Sequence, residues 1–181
     1  MKDDIKYVLA DEKKIQETCD RLAQQINKDY PDHNRELVFV IVLKGSVLFA
    51  TDLIRRIDRP CTMEFMKVSS YGAGVETSGF IQVSLDLKRD IKDVDVIIVE
   101  DIIDSGRTLQ KLCSLLATRG AHSVKCCTLL DKPSRRQVEM VADYTGITIP
   151  DEFVVGYGLD FAEYYRNLPY IGVLDPSVYS E

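Results

Sequence analysis

VEDIIDSGRTLQKL, residues 99–112, decides how this chain is read. The apolar run at 94–99 that leads into it has the near-continuous hydrophobicity of a strand buried on both faces of a parallel sheet. That run closes on two adjacent carboxylates, Glu100 and Asp101. After two more apolar residues come Asp104, Ser105, Gly106, Arg107 and Thr108. Leu109, Leu112, Cys113 and Leu116 then recur at helical spacing. The stretch is strand, short loop, helix N-terminus. In an open α/β sheet, ligands sit beyond the carboxyl ends of the strands. A helix N-terminus offers unpaired N–H groups and about half a positive charge, which favours an anion. Ser105, Gly106 and Thr108 are small enough to let backbone approach a phosphate, and two of them add a hydroxyl. Three acids beside such a cradle would repel a bare phosphate. They fit a ligand that also carries hydroxyls, or a divalent cation with oxygen ligands, and a magnesium-bound sugar phosphate has all of these parts. The plainer alternative is a helix cap from Asp104 or Ser105 beside a solvated strand end. It accounts for each residue singly and not for the whole string.

Upstream, 36–43 is a second continuously apolar strand. It runs into Lys44, Gly45 and Ser46, then a helix with Val47, Ala50, Ile54 and Ile57 on one face. This is no Walker loop, because Gly-x-x-x-x-Gly-Lys-Ser/Thr occurs nowhere. Lys44 reads either as a loop lysine or as a ligand contact. Earlier still, Asp11 caps a helix whose apolar stripe is Ile15, Cys19, Leu22 and Ile26. A strand is expected at 61–69. The polar stretch 69–79 follows, with three glycines and Tyr71, and then 81–88 alternates apolar with polar. So long a connection is often a lid and otherwise a mobile hairpin.

Downstream, Gly120 ends the central helix and 123–130 reads as a strand. Lys132, between Asp131 and Pro133, then stands on the same sheet edge as Asp101, as a ligand contact or a turn lysine. Arg135 and Arg136 read as solvated. A weak strand is expected near 144–147 and a short one near 171–174. In 153–160, Phe153 could stack on a flat base or fill the core.

The 181 residues suit one domain, and 45% hydrophobic with 29% charged residues suits a soluble globular chain. The net charge of −6 argues against general nucleic-acid binding. No apolar run is long enough for a membrane span and no secretory h-region is visible. Five cysteines without Cys-x-x-Cys, and His33 and His122 far apart, argue against zinc and for reduced thiols in a cytoplasmic protein.

The central stretch resembles the phosphoribosyl-pyrophosphate motif of the type I phosphoribosyltransferases, and its Glu-Asp-Ile-Ile-Asp-Ser-Gly form resembles the hypoxanthine-guanine branch. Four further ordered pieces extend the resemblance from about residue 36 to about residue 174: Leu-Lys-Gly at 43–45, Ser-Ser-Tyr-Gly at 69–72, Asp-Lys-Pro at 131–133, and Phe-Val-Val-Gly-Tyr-Gly-Leu-Asp at 153–160 with Arg166 beyond. It implies an α/β fold, a central, mostly parallel sheet flanked by helices, with a small hood and a flexible lid at Ser69, Ser70, Tyr71 and Gly72. It implies purine salvage: phosphoribosyl pyrophosphate and hypoxanthine or guanine give IMP or GMP and pyrophosphate. Mg²⁺, replaceable by Mn²⁺, is the implied cofactor, and a homodimer or homotetramer the implied assembly.

Roles follow position by position. Asp104 backbone with Ser105, Gly106, Arg107 and Thr108 would hold the 5′-phosphate, although Arg107 stands where the family often has another residue. Glu100 and Asp101 would face the ribose hydroxyls and metal. Lys44, Gly45 and Arg166 would hold pyrophosphate, and the Leu43–Lys44 peptide can be cis. Lys132 would donate to the 6-oxo group, Phe153 would stack on the ring, and Val154 backbone would read its edge. Asp160 would support a second metal beside the purine. Asp104 would accept the N7 proton. Lys132 is donor-only, which favours 6-oxopurines over adenine. A xanthine-preferring relative is the nearest alternative. A non-catalytic nucleotide-responsive regulator is another, but it would need a nucleic-acid module or a basic face that this chain lacks.

Overall fold

The computed structural model of the chain describes residues 1–31, 33–70 and 81–180. In order, its elements are β1 (Ile5–Ala10), α1 (Glu12–Asp29), β2 (Leu37–Val42), α2 (Val47–Ile54), β3 (Thr62–Ser70), β4 (Ile81–Leu85), β5 (Asp95–Ile103), α3 (Arg107–Thr118), β6 (Ser123–Asp131), β7 (Tyr144–Thr148), β8 (Val154–Val155) and β9 (Ile171–Leu174). Six strands form the main sheet in the order β4-β3-β2-β5-β6-β7. All neighbours in it are parallel except β3 and β4. The central strands are apolar at every position because both faces are covered. Leu37, Phe39 and Ile41 of β2 join Ile97 and Val99 of β5 on the face packed by α1 and α2. Val38, Val40 and Val42 join Val96 and Ile98 on the face packed by Leu109, Leu112 and Leu116 of α3. The two-residue period of a strand sorts them without exception.

Several expectations shift in detail. β5 does not end at the carboxylates but runs on through Ile103, because β6 keeps pairing with it as far as Ile103 opposite Asp131. β4 stops at Leu85, after which Asp86 takes a two-pronged ion pair from Arg119. In α2 the fully buried side chains are Phe49, Ala50 and Leu53, while Val47 and Ile54, and Ile57 beyond the helix end, pack only at the margin. Asp11 caps α1 as expected, accepting from the Lys14 N–H at 2.8 Å.

A second sheet, β1-β9-β8, is antiparallel and forms the hood. Nothing in the sequence before Asp11 marks β1: three of its six residues are exposed and no period-2 pattern stands out. Its place is set from outside, by pairing with β9 and by the Tyr165 hydroxyl donating to Asp4 at 2.9 Å.

Candidate active site

Chain direction reverses between β2 and β5: from β2 the chain moves outward to β3, from β5 the other way to β6. Such a switch point opens a crevice at the carboxyl ends of the strands. β2 pairs with β5 only as far as Ile41 opposite Val99, so Glu100 and Asp101 project past their neighbour on that side. The loop after β2 fills the gap. Its Leu43–Lys44 peptide is cis. Gly45 lies so close to Asp101 that a Cβ there would sit 1.6 Å from its Oδ2. Gly158, at φ +102°, approaches the Gly45 carbonyl to within 2.0 Å of where its own Cβ would be. No side chain fits at either position, which is why these loops carry glycine.

A cavity of about 440 Å³ opens here, lined among others by Lys44, Gly45, Ser69, Glu100, Asp101, Asp104, Ser105, Gly106, Thr108, Asp160 and Arg166. At its floor is the start of α3. The N-cap is Gly106 at φ +81°, which has no side chain to cap the helix. Ser105 Oγ lies 3.4 Å from the Arg107 N–H, at the long limit of a hydrogen bond. Asp104 makes no cap and the Ser105 contact is long, so the start of α3 is weakly capped and able to meet an anion. The Arg107 side chain is exposed and does not line the cavity, so only its backbone takes part in the cradle. Arg136, expected to be solvated, is mostly buried instead. Its guanidinium donates to the Asp104 carbonyl at 2.6 Å and to the Asp131 carboxylate. Gln137 N–H donates to the Ser105 carbonyl at 3.0 Å. The loop is thus held chiefly through its backbone carbonyls. Nothing in the run Arg135-Arg136 distinguished the buried arginine from the exposed one.

Burial raises the pKa of both Glu100 and Asp101, and for Glu100 the adjacent Asp101 charge adds to it. Arg166 partly offsets the effect on Asp101. Two carboxylates with raised pKa at a crevice are poised for a cationic or hydroxyl-bearing ligand. Asp160 lines the same cavity but pairs with Arg166 at 2.8 Å. Among the described residues no group of three or more His, Cys, Asp or Glu side chains converges as a metal site, so Glu100, Asp101 and Asp160 do not by themselves make the convergent set that the sequence led one to expect.

The sequence reading missed Glu163. Its carboxylate takes the Lys44 ammonium at 2.8 Å and lies 3.4 Å from Arg166. Lys44 holds its pKa below the usual carboxylate value. Arg166 also donates to the Gly158 carbonyl at 2.7 Å. Both cations are thus already grouped around one anionic group.

A second cavity of about 510 Å³ adjoins the first, and Asp101, Ile102, Asp104 and Asp160 line both. Its own walls include Lys132, Arg135, Phe153, Val154 and Tyr179. Lys132 is 8% exposed and donates to the Glu152 carbonyl at 2.8 Å, which leaves further ammonium donors. Phe153 is 40% exposed, so it is not a core residue. Tyr179 stacks on it with centroids 5.1 Å apart, and Phe161 meets it edge-on. Tyr179 carried no local signal, since only the fold returns the chain's end to this wall. Arg135 Nε lies 3.5 Å from Asp104 Oδ1. Of the lid positions, Ser69 lines the first cavity and Ser70 ends β3, while Tyr71 and Gly72 lie outside the described residues.

Residues 8–162 match the family model described as phosphoribosyl transferase domain. The hypoxanthine-guanine phosphoribosyltransferase of Staphylococcus aureus is 51% identical over 180 residues, covering 99% of each chain. A bifunctional protein TilS/HprT of Listeria monocytogenes is 51% identical over 181 residues, which span 28% of that protein. The crystal structure of a Staphylococcus aureus hypoxanthine phosphoribosyltransferase superposes with a TM-score of 0.94 at 50% identity, covering 100% of this chain and 97% of that one. A hypoxanthine-guanine phosphoribosyltransferase from Bacillus anthracis gives 0.85 at 46% identity, with 94% and 98% covered. By the family model and these relatives, the chain belongs to the type I phosphoribosyltransferases, on their hypoxanthine-guanine branch.

Proposed function

We propose that this enzyme works in purine salvage, moving the 5-phosphoribosyl group of phosphoribosyl pyrophosphate onto hypoxanthine or guanine and releasing IMP or GMP with pyrophosphate. The observation that carries this is the pair of adjoining cavities with a shared wall at Asp101, Ile102, Asp104 and Asp160. One is an anion cradle and the other offers a buried ammonium and an exposed aromatic face. A sugar phosphate in the first and a flat base in the second would meet at that wall.

The residues then divide the work. N–H groups at Gly106 and Thr108, and that of Arg107 on release of its long contact to Ser105 Oγ, with the Ser105 and Thr108 hydroxyls, bind the 5′-phosphate. As the bond to pyrophosphate breaks, charge grows on the leaving group, and Lys44 and Arg166 stabilise it. The sugar carbon becomes oxocarbenium-like, and Glu100 and Asp101 favour that positive charge. Lys132 donates to the 6-oxo group, Phe153 faces the ring and Val154 backbone its edge. Asp104, at the junction, takes the proton lost from N7. Carboxylate oxygens at Glu100, Asp101 and Asp160 suit a hard cation that keeps several other oxygen ligands, as Mg²⁺ does. Bound there, Mg²⁺ or Mn²⁺ would supply charge neutralisation for pyrophosphate.

The test is steady-state kinetics with hypoxanthine, guanine, xanthine and adenine, with and without divalent cation. Turnover of hypoxanthine and guanine that requires Mg²⁺ or Mn²⁺ is expected. Preferential use of xanthine would move the chain to the xanthine-preferring relatives, and no turnover of any base would leave a nucleotide-responsive regulator.

Glu163 gives a second expectation. It occupies the cations that pyrophosphate needs, so it competes with the substrate. Glu163→Gln should tighten phosphoribosyl-pyrophosphate binding by up to about fivefold, the worth of an exposed ion pair. Calorimetry would read this. Weaker binding in the variant would mean that Glu163 instead holds Lys44 in its working position.

We also read the chain as one cytoplasmic domain that assembles as a dimer or tetramer. No helix among the described residues is long and apolar enough to cross a membrane. Leu48, Met63 and Phe65 leave apolar surface exposed away from the site, which supports self-association.

A further inference from the structure

Helix α3 begins at the phosphate cradle, and its middle rests on β6 through two sulfurs. Cys113 Sγ on the helix lies 3.1 Å from Cys126 Sγ on the strand. Both thiols are free. We propose that Cys113 and Cys126 form a reversible, peroxide-sensitive disulfide that staples the cradle helix to β6.

The geometry is nearly that of the product. A disulfide bond is about 2.05 Å long, so each sulfur has about 0.5 Å to travel. The two residues are on different elements that already pack together, in one hydrophobic cluster. The strand side is fixed: Cys126 N–H donates to the Asp143 carboxylate at 2.8 Å. The thiols differ as an attacking and a resolving pair must. Cys113 is half-buried, within reach of a small oxidant, while Cys126 is 1% exposed and faces Cys113 from the interior. The Cys126 thiol hydrogen bond lowers the pKa of Cys113, which raises its thiolate fraction. The other cysteines lack this arrangement. Cys19, Cys61 and Cys127 have pKa values raised by burial, and that of Cys126 is raised by its hydrogen bond to Cys113 and by burial, so Cys113 alone is shifted toward thiolate.

The chemistry balances with a hydroperoxide as oxidant. The Cys113 thiolate attacks the terminal peroxide oxygen, the O–O bond breaks, and the departing oxygen takes a proton and leaves as water or alcohol. Cys113 is now a sulfenic acid. Cys126 sulfur attacks that sulfur, the S–O bond breaks, and hydroxide leaves with the Cys126 proton as water. Two thiols have lost two electrons and two protons, and the peroxide has gained them.

The test treats the intact enzyme with a small excess of hydrogen peroxide and maps peptides without reduction. The expected result is one cross-linked pair containing Cys113 and Cys126. Thiol titration should show two of the five thiols lost, all recovered with dithiothreitol. The oxidised enzyme should melt at a higher temperature than the reduced one. Cys113→Ala, which touches none of the site residues, should keep the reduced enzyme's activity and abolish both the cross-link and the shift. Should that variant fail to fold, the wild-type peptide map decides alone. Sulfinic acid on Cys113 without a cross-link, first loss of the Cys61 thiol, or a lower melting temperature on oxidation would each overturn the proposal.

Discussion

Asp104→Asn should lower turnover by ~10²–10⁴-fold, the usual contribution of a positioned general base. Phosphoribosyl-pyrophosphate affinity should stay close to the wild-type value. The structure explains why these effects separate. Asp104 is tied into the loop by its carbonyl, which Arg136 holds at 2.6 Å, and not by its carboxylate. An isosteric amide keeps that tie and so keeps the cradle. The nearest charged partner of the carboxylate is Arg135 at 3.5 Å, with both side chains about half exposed, and such a pair adds little to stability. What the variant loses is a proton acceptor at the wall common to both cavities. Stopped-flow or steady-state turnover beside calorimetry of phosphoribosyl pyrophosphate would check both halves. Near-normal turnover would assign the proton to another group.

The largest discrimination is expected at Lys132. Wild-type enzyme should use hypoxanthine and guanine and reject adenine by ~10⁴-fold or more, since a site built on a hydrogen bond leaves a buried group unpaired with the wrong partner. An ammonium only donates; a 6-oxo group accepts, and a 6-amino group presents a donor to it. Lys132→Met should cut kcat/KM for both 6-oxopurines by about 10²-fold, matching ~3 kcal/mol for a lost charged hydrogen bond. The Glu152 carbonyl also loses its partner in this variant. The comparison that isolates the purine is therefore pyrophosphate-side binding, which should survive. Efficient use of adenine by the wild type, or full 6-oxopurine activity in Lys132→Met, would show that Lys132 does not read the base.

Much of this site is legible in the sequence because its parts are local. A run such as 94–99 must be a doubly covered strand, since nothing else in a chain of this polarity hides so much apolar surface. Glu100, Asp101 and the Asp104–Thr108 loop then follow within a few residues, and their spacing alone puts them at one strand end. Gly45 is placed at a strand end for the same reason, whereas Lys44 there could be read as a loop lysine or a ligand contact. The lysine at 132 and the aromatic at 153 could be read only as either of two things from spacing. Family resemblance implies the ligand reading of each; the structure adds only that Lys132 is 8% exposed and Phe153 40% exposed.

What tertiary structure alone decided was which distant groups meet. Glu163 reaches Lys44 across 119 residues, and Tyr179 stacks on Phe153 only because β9 carries the chain back beside the hood. Arg136 and Arg135 are neighbours with the same chemistry, yet one is buried against Asp131 and the other exposed, a difference set by the path of the loop after β6. The pairing of β1 with β9 joins residues at opposite ends of the chain. Period and composition report what a segment can bury, so the sequence by itself determined the parallel sheet, the strand–loop–helix junction after β5 and the acid pair. Contacts between segments far apart in sequence depend on how the faces close together, and so the Lys44–Glu163–Arg166 cluster, the Phe153–Tyr179 wall and the Cys113–Cys126 contact existed only once the sheet and hood had been assembled.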